Sequence, residues 1–361
     1  MASSNFPART HTTTRSFTYS YIHIQPSSPS KPYILFLHGF PSSSYDWRHQ
    51  ITYFSAKGYG IIAPDLLGFG GTSKPLSAHF YKFKDMASDL YEILSLHSIS
   101  ESHKVLGVGH DWGSAMLSRM VNYHPEIFKK LVFLDVGYQA PDGPAFNFDM
   151  VKLINAQVKK MAGFEIFGYF FLMDEEDSTE LLDNNPESVM SLYYSLDNEL
   201  GKEHMGATGG FRKWLEGSML APYPHFVTSE VSEDNSVYVY VKSVMQESML
   251  KHISQSGRGT FKNTFSPQNG GFGAAKNWYT MQLHGINEDD DKAIPKERTV
   301  VHQPTLLITS TNFISSGADF PSQMKPYIPD FRVERWEGGH WIQLEKSDET
   351  NALLGEFFEE I

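Results

Sequence analysis

The chain has 361 residues, 40% of them hydrophobic and 20% charged, with no cysteine and a formal net charge of −12. Such a make-up belongs to a globular protein with a sizeable core. It offers no disulfide framework, thiolate nucleophile or thiolate metal site, and its acidic balance argues against nucleic acid as a partner. No apolar run approaches the roughly 18 residues of a membrane-spanning helix. The Ser/Thr-rich first 15 residues lack the apolar stretch of a secretory signal, so a cytoplasmic protein is expected.

Apolar, β-rich runs at 33–37 and 61–63 each lead into a Gly-punctuated loop. Met86, Leu90, Ile93 and Leu94 recur at helical spacing within residues 84–96. A short strand at 105–108 precedes a helix at 114–123, and another strand follows at 131–134. Strands that are nearly all apolar and alternate with helices predict a mostly parallel sheet covered on both faces. The pattern resumes with strands at 305–308 and 331–333 and a closing helix at 348–358. In between, Met, Tyr and Phe crowd a mainly helical stretch with Gly-rich breaks at 206–210 and 270–273. The expected organisation is an α/β core of residues 1–140 and 298–361, interrupted by a lid of residues 141–297. The acidic run 288–291 reads as a solvated turn.

The strongest chemical signal is Gly109-His110-Asp111-Trp112-Gly113, set between a strand and a helix. A small-x-nucleophile-x-small pentapeptide in that place makes a sharp turn that lifts its central side chain above the sheet edge. Here the centre is Asp111 rather than Ser. A carboxylate can displace a leaving group from an sp³ carbon, forming an alkyl ester that water then hydrolyses at the Asp carbonyl carbon.

With this elbow the sequence resembles the α/β-hydrolase superfamily, and within it the soluble epoxide hydrolases, from about residue 15 to 361. The resemblance implies an α/β-hydrolase fold. His38-Gly39-Phe40-Pro41 looks like the family's oxyanion loop, so that the backbone N–H groups of Phe40 and Trp112 would stabilise the oxyanion. Gly338-Gly339-His340-Trp341 lies where the family keeps its general base, His340 here. The motif from Asp65 to Gly71 also matches, but reads as structural, since its glycines open no dinucleotide-binding helix.

The triad acid departs from the commoner pattern. Many relatives place it just after the strand at 305–308, where this chain has Asn312. Another branch, including some dehalogenases, places it after the strand that follows the nucleophile helix. Asp135 stands there and is the expected acid, with Asp319 as runner-up. The resemblance further implies two lid tyrosines that hydrogen-bond the epoxide oxygen. Tyr169 and Tyr279 match their motifs, with Tyr193 and Tyr194 as alternatives for the first.

The implied activity is conversion of an epoxide to a vicinal diol, with an apolar epoxide and water as substrates and neither metal nor organic cofactor. Met161, Phe170, Met173 and Phe211 suggest an adaptable apolar pocket. A haloalkane or haloacid dehalogenase would share Asp111 and His340, but Phe40 supplies no side-chain donor for a halide and no Arg adjoins the nucleophile. Asn312 keeps a non-catalytic ligand-binding protein in view. The sequence leaves a homodimer open, and names no particular epoxide.

Overall fold

The structure, a computed structural model, describes residues 6–228 and 271–360. Its strands are β1 (Ala8–Thr12), β2 (Thr18–Ile24), β3 (Tyr33–Leu37), β4 (Gly60–Pro64), β5 (Val105–His110), β6 (Phe128–Leu134), β7 (Thr305–Ser310) and β8 (Arg332–Trp336). They form one eight-stranded sheet in the order β1-β2-β4-β3-β5-β6-β7-β8. The pairings from β4 through β8 are parallel, while β1–β2 and β2–β4 are antiparallel.

Every residue of β3, β4, β5 and β7 is buried, as a parallel sheet covered on both faces requires. The two-residue period sorts their side chains. Leu35 and Leu37 face a core shared with α2 (Phe83–Ser95) and α3 (Trp112–Tyr123), defined by Met86, Leu90, Met116 and Met120. Ile34 and Phe36 face the opposite core, with Ile51 and Phe54 of α1 (Arg48–Ala56) and Leu354 and Phe357 of the closing helix Ser347–Glu359. The sheet is therefore pinned from both sides, and the C-terminal ends of its parallel strands carry Leu37, His110 and Leu134 to one rim.

Three features differ from the sequence reading. The hairpin of β1 and β2 has no apolar run to announce it, because Thr, Ser, His and Tyr build it. The strand expected at 331–333 runs from Arg332 to Trp336; as an edge strand it alternates half-buried and exposed residues, and its Arg332 pairs with Glu334, Glu356 and Glu360. The acidic run 288–291 is not a solvated turn but a short helix, Glu288–Lys292. Its Asp291 accepts two hydrogen bonds from the buried Arg119 of α3, at 2.7 and 2.8 Å, and its Asp290 pairs with Lys82 and Lys84.

Between β6 and β7 the described chain is helical. α4 (Phe148–Ala162) starts at Asn147, whose side chain accepts from Met150 N–H, and stops at Gly163, which takes the left-handed conformation at φ 87°. α5 (Tyr169–Met173), α6 (Ser178–Asn184) and α7 (Pro186–Tyr193) follow, and the helices Asn277–Leu283 and Glu288–Lys292 precede β7. Within the segment expected as a lid, residues 229–270, including the glycine at 270, lie outside the described residues. No helix among the described residues is long and apolar enough to cross a membrane.

β2 also carries a titratable pair. His23 is buried and stacks on His97 with ring centroids 3.9 Å apart, their Nε2 atoms paired with the hydroxyls of Tyr33 and Tyr21. Burial, then the neighbouring His97 and Arg9, lowers the His23 pKa to about 4. An unfolded histidine takes its proton near pH 6.5. The unfolded state therefore binds more protons across that interval, and stability falls as pH is lowered from about 6.5 through 4. A pH series of melting curves should show Tm declining over this range, with a smaller decline for His23→Gln. Identical declines would remove the stacked pair as a source of acid sensitivity.

Candidate active site

One residue separates the end of β5 from the start of α3, and that residue is Asp111. It holds φ 54° and ψ −123°, a conformation that L-residues rarely adopt. The turn is possible only because side chains are absent around it. A Cβ on Gly109 would lie 2.6 Å from the Gly113 carbonyl oxygen, and one on Gly113 would lie 2.0 Å from the Leu37 oxygen. A Cβ on Gly39 would meet the Asp111 carboxylate itself, 2.2 Å from Oδ1.

Around Asp111 the structure gathers residues from distant parts of the chain. The Phe40 N–H donates to Asp111 Oδ1 at 2.8 Å. Trp112 is the first residue of α3, where a helix leaves its N–H groups unspent. His340 follows β8 and sets Nε2 3.6 Å from Asp111 Oδ2, while its Nδ1 lies 2.5 Å from Asp135 Oδ2. Asp135 is therefore the carboxylate in contact with the imidazole. Asp319 is exposed, in the left-handed conformation between two short helices.

Asn312 is brought to the same place in a different capacity. Its Nδ2 donates to both Asp135 oxygens, at 2.9 and 2.7 Å, while its Oδ1 accepts from the N–H groups of Ile314 and Ser315. Capping that helix fixes which end of the amide faces the carboxylate. Ser310 and Ser315 add hydroxyl donors to Asp135 Oδ1, each at 2.7 Å, and Ser310 N–H a further one at 3.2 Å. A carboxylate with no solvent exposure is thus surrounded by donors.

The charges follow from these contacts. Burial opposes the ionisation of Asp135 and Asp111, but His340 and the hydrogen-bond donors override it and hold both carboxyls below the usual range. Burial likewise opposes the charge on His340, and Asp111 and Asp135 overcome it, raising its pKa to about 10. These contacts favour an imidazolium between two carboxylates.

Opposite Asp111 stands an aromatic wall. Tyr169, Tyr193 and Tyr279 line the same cavity of about 560 Å³ as Asp111, Phe40 and His340. Tyr279 meets Trp112 and Phe40 edge-on at 5.0 and 5.2 Å, and Tyr169 at 5.8 Å. Burial, neighbouring tyrosines and the Asp111 charge raise the pKa of Tyr169 and Tyr279 well above its ordinary value, so both remain hydroxyl donors at neutral pH. Tyr194 turns away, stacking on Trp341 at 4.2 Å and directing its hydroxyl to the Pro41 oxygen.

His110 escaped the sequence reading. It is wholly buried, donates from Nε2 to the His340 carbonyl oxygen at 2.9 Å, and has Gln343 Nε2 3.2 Å from its Nδ1. Burial, then the charge of His340, lowers its pKa to about 4, leaving a neutral ring that anchors the loop carrying the imidazolium. Its only sequence signal is its place beside Asp111 at the end of a buried strand.

The family profile described as alpha/beta hydrolase fold matches residues 32–347. Epoxide hydrolase srdG of Neurospora crassa is 24% identical over 358 residues, covering 96% of this chain and 93% of its own. Epoxide hydrolase B of Mycobacterium tuberculosis is 24% identical over 349 residues, 93% of this chain and 94% of its own. The crystal structure of epoxide hydrolase A from Mycobacterium thermoresistibile superposes with a TM-score of 0.71 at 20% identity, over 98% of each chain. That likeness shows the fold.

The contacts of Asn312 make its replacement by Asp informative. An oxygen would then face the Asp135 carboxylate at the 2.7–2.9 Å now spanned by the amide, and two carboxylates so close cannot both ionise. The folded pKa of the pair rises, so the resulting destabilisation is small near pH 4 and grows as pH increases. Melting curves of Asn312→Asp and wild type should diverge between pH 4 and pH 8. Asn312→Ala, which adds no charge, should lose stability by a pH-independent amount; parallel curves for both variants would refute this account.

Proposed function

Because the chain belongs to the alpha/beta-hydrolase fold family and resembles its epoxide hydrolases, we propose that it converts an epoxide to a vicinal diol through an alkyl ester on Asp111. The observation that carries this reading is the pairing of opposites across one apolar cavity. An ionised carboxylate stands on the core side and two protonated phenols, Tyr169 and Tyr279, on the helical side. An attacking anion facing hydroxyl donors suits a leaving oxygen that becomes an alkoxide. On the same reading residues 141–297 act as a lid over a core of residues 1–140 and 298–361.

Asp111 attacks one epoxide carbon, the carbon–oxygen bond breaks, and a phenol passes its proton to the alkoxide. Ester formation removes the Asp111 charge, and with it one of the two carboxylates that hold the proton on His340. The imidazolium then returns a proton to the phenolate and becomes a neutral base. It takes a proton from water as the water adds to the ester carbonyl carbon. The N–H groups of Phe40 and Trp112 receive the oxyanion, removal of one such donor costing about 10²–10³ in rate. Collapse releases the diol and restores Asp111 and protonated His340. Asp135 stays ionised throughout and holds the ring in place.

A trapping experiment tests the reaction class. His340→Gln cannot activate water, so the ester should accumulate when the variant meets epoxides and haloalkanes. Peptide mass spectrometry should find a hydroxyalkyl adduct on the peptide containing Asp111. A plain alkyl adduct obtained with halides alone would instead make the protein a dehalogenase, and no adduct from any epoxide would count against the proposal.

The triad acid has its own test. Asp135→Asn should lower ester hydrolysis by about 10⁴, as neutral replacement of a triad carboxylate does, while Asn312→Ala, which leaves the carboxylate in place, should lower it only about tenfold. Single-turnover rates showing the opposite ranking would move the acid away from Asp135.

A further inference from the structure

The acidic helix Glu288–Lys292 borders the cavity that holds Asp111, Tyr169 and Tyr279. Its Glu288 and Asp291 line that cavity, and so does Arg119 of α3. Trp112 and Arg119 stand seven residues, about two turns, apart on α3, so both face the same way and Arg119 lies roughly 10 Å further along the cavity.

Arg119 is the cation of that end, and its charge is already matched. Nε and Nη2 donate to the two Asp291 oxygens at 2.7 and 2.8 Å, and Nη1 donates to the Gln139 carbonyl oxygen at 2.6 Å. The guanidinium is buried, so this two-pronged pair is sheltered from water. The other cationic side chain on the lining, His340, sits between Asp111 and Asp135. Against these two, the described lining carries Asp111, Asp197, Glu288 and Asp291. Glu288 pairs with Lys292, whose side chain is largely in solvent. Among the described residues the cavity thus offers an incoming anion like charges and no unpaired cation. An anion left without a partner in an apolar cavity is strongly disfavoured.

What the same end does offer is neutral. Gln139 and Gln282 line it, the second one turn beyond Tyr279, and their side-chain amides bond to no described residue. An amide both donates and accepts, so it can satisfy an alcohol, an ester or another amide. Resting on the proposed epoxide chemistry, we propose that the cavity takes uncharged epoxides whose far end is a neutral hydrogen-bonding group, and that Asp291 excludes carboxylates by occupying Arg119. Asp291 is then a specificity-determining residue twice over. It cancels a guanidinium whose fork would otherwise suit a carboxylate, and it repels one itself.

The test compares ω-epoxyundecanoic acid with its methyl ester and its primary amide, on the full chain at pH 8. The amide has the shape of the carboxylate without its charge, so this pair isolates the electrostatic effect. The wild-type kcat/KM should be higher for the amide and the ester than for the acid by about tenfold or more, as juxtaposed like charges require. Asp291→Asn should raise the kcat/KM of the acid itself about tenfold, because Arg119 keeps its charge and loses its anionic partner. Glu288→Gln, which removes a like charge and leaves the Arg119 pair in place, should raise it about threefold, and it decides the matter if Asp291→Asn fails to fold. The wild type turning over the acid as well as the amide would overturn the assignment. So would an acid-to-amide ratio unmoved by a folded Asp291→Asn, or by Glu288→Gln in its stead, and so would failure to open the amide while styrene oxide is opened. Absence of turnover with every epoxide, styrene oxide included, is the separate result that would sink the epoxide reading itself.

Discussion

A carboxylate with no access to water must be supplied with donors from the protein, and Asp135 obtains them from almost every segment that borders the site. Ser310 ends β7, Asn312 and Ser315 belong to the turn and helix beyond it, and His340 comes from the loop after β8. Asp135 itself holds a positive φ of 62° just past the end of β6. Satisfying one buried charge therefore fixes the relative positions of three strand ends. The imidazole orientation follows, since Nδ1 is committed to Asp135 and Nε2 is left facing Asp111. Removing any single donor would leave the others to hold the charge, which is why the arrangement is a network rather than a pair.

The same charge keeps the site in register with its proposed chemistry. Asp111 and Asp135 together raise the His340 pKa and so favour its protonated form at rest. Only conversion of Asp111 to a neutral ester weakens its hold on the proton. In the proposed scheme the order of events would then need no moving part: the imidazole would become a base when there is an ester to hydrolyse, and an imidazolium again when Asp111 is released. His110 contributes from behind. Its own burial keeps it neutral, so it can tether the His340 carbonyl without adding a second positive charge to the site.

What the sequence made legible was local. The run from Tyr33 to Leu37 is apolar at every position and is a strand over those same residues, and the glycines at 109 and 113 stand where backbone meets backbone. The β1–β2 hairpin was hidden because its side chains are polar, and β8 because an edge strand shows charge to solvent. The contacts of Asp135 join residues 175 to 205 positions apart. No periodicity connects such positions. Asn312, out of place as an acid, becomes intelligible only when its amide is seen to donate to the Asp135 carboxylate.

The remaining half of the candidate site hangs on the helical stretch between β6 and β7, and there the constraint is of another kind. Tyr169 and Tyr279 lie 110 positions apart, with no hydrogen bond of their own holding them together among the described residues. Their rings are kept by edge-on contacts with Phe40, Phe170 and Trp112, that is, by the loop after β3, by their own wall and by the residue after Asp111. Trp341 ties α7 to the loop of His340, and Trp278 donates to the Leu67 oxygen beneath the wall. Aromatic edges set distance without saturating the hydroxyls. The wall is therefore positioned by its ring contacts, and its tyrosines line the same cavity as Asp111.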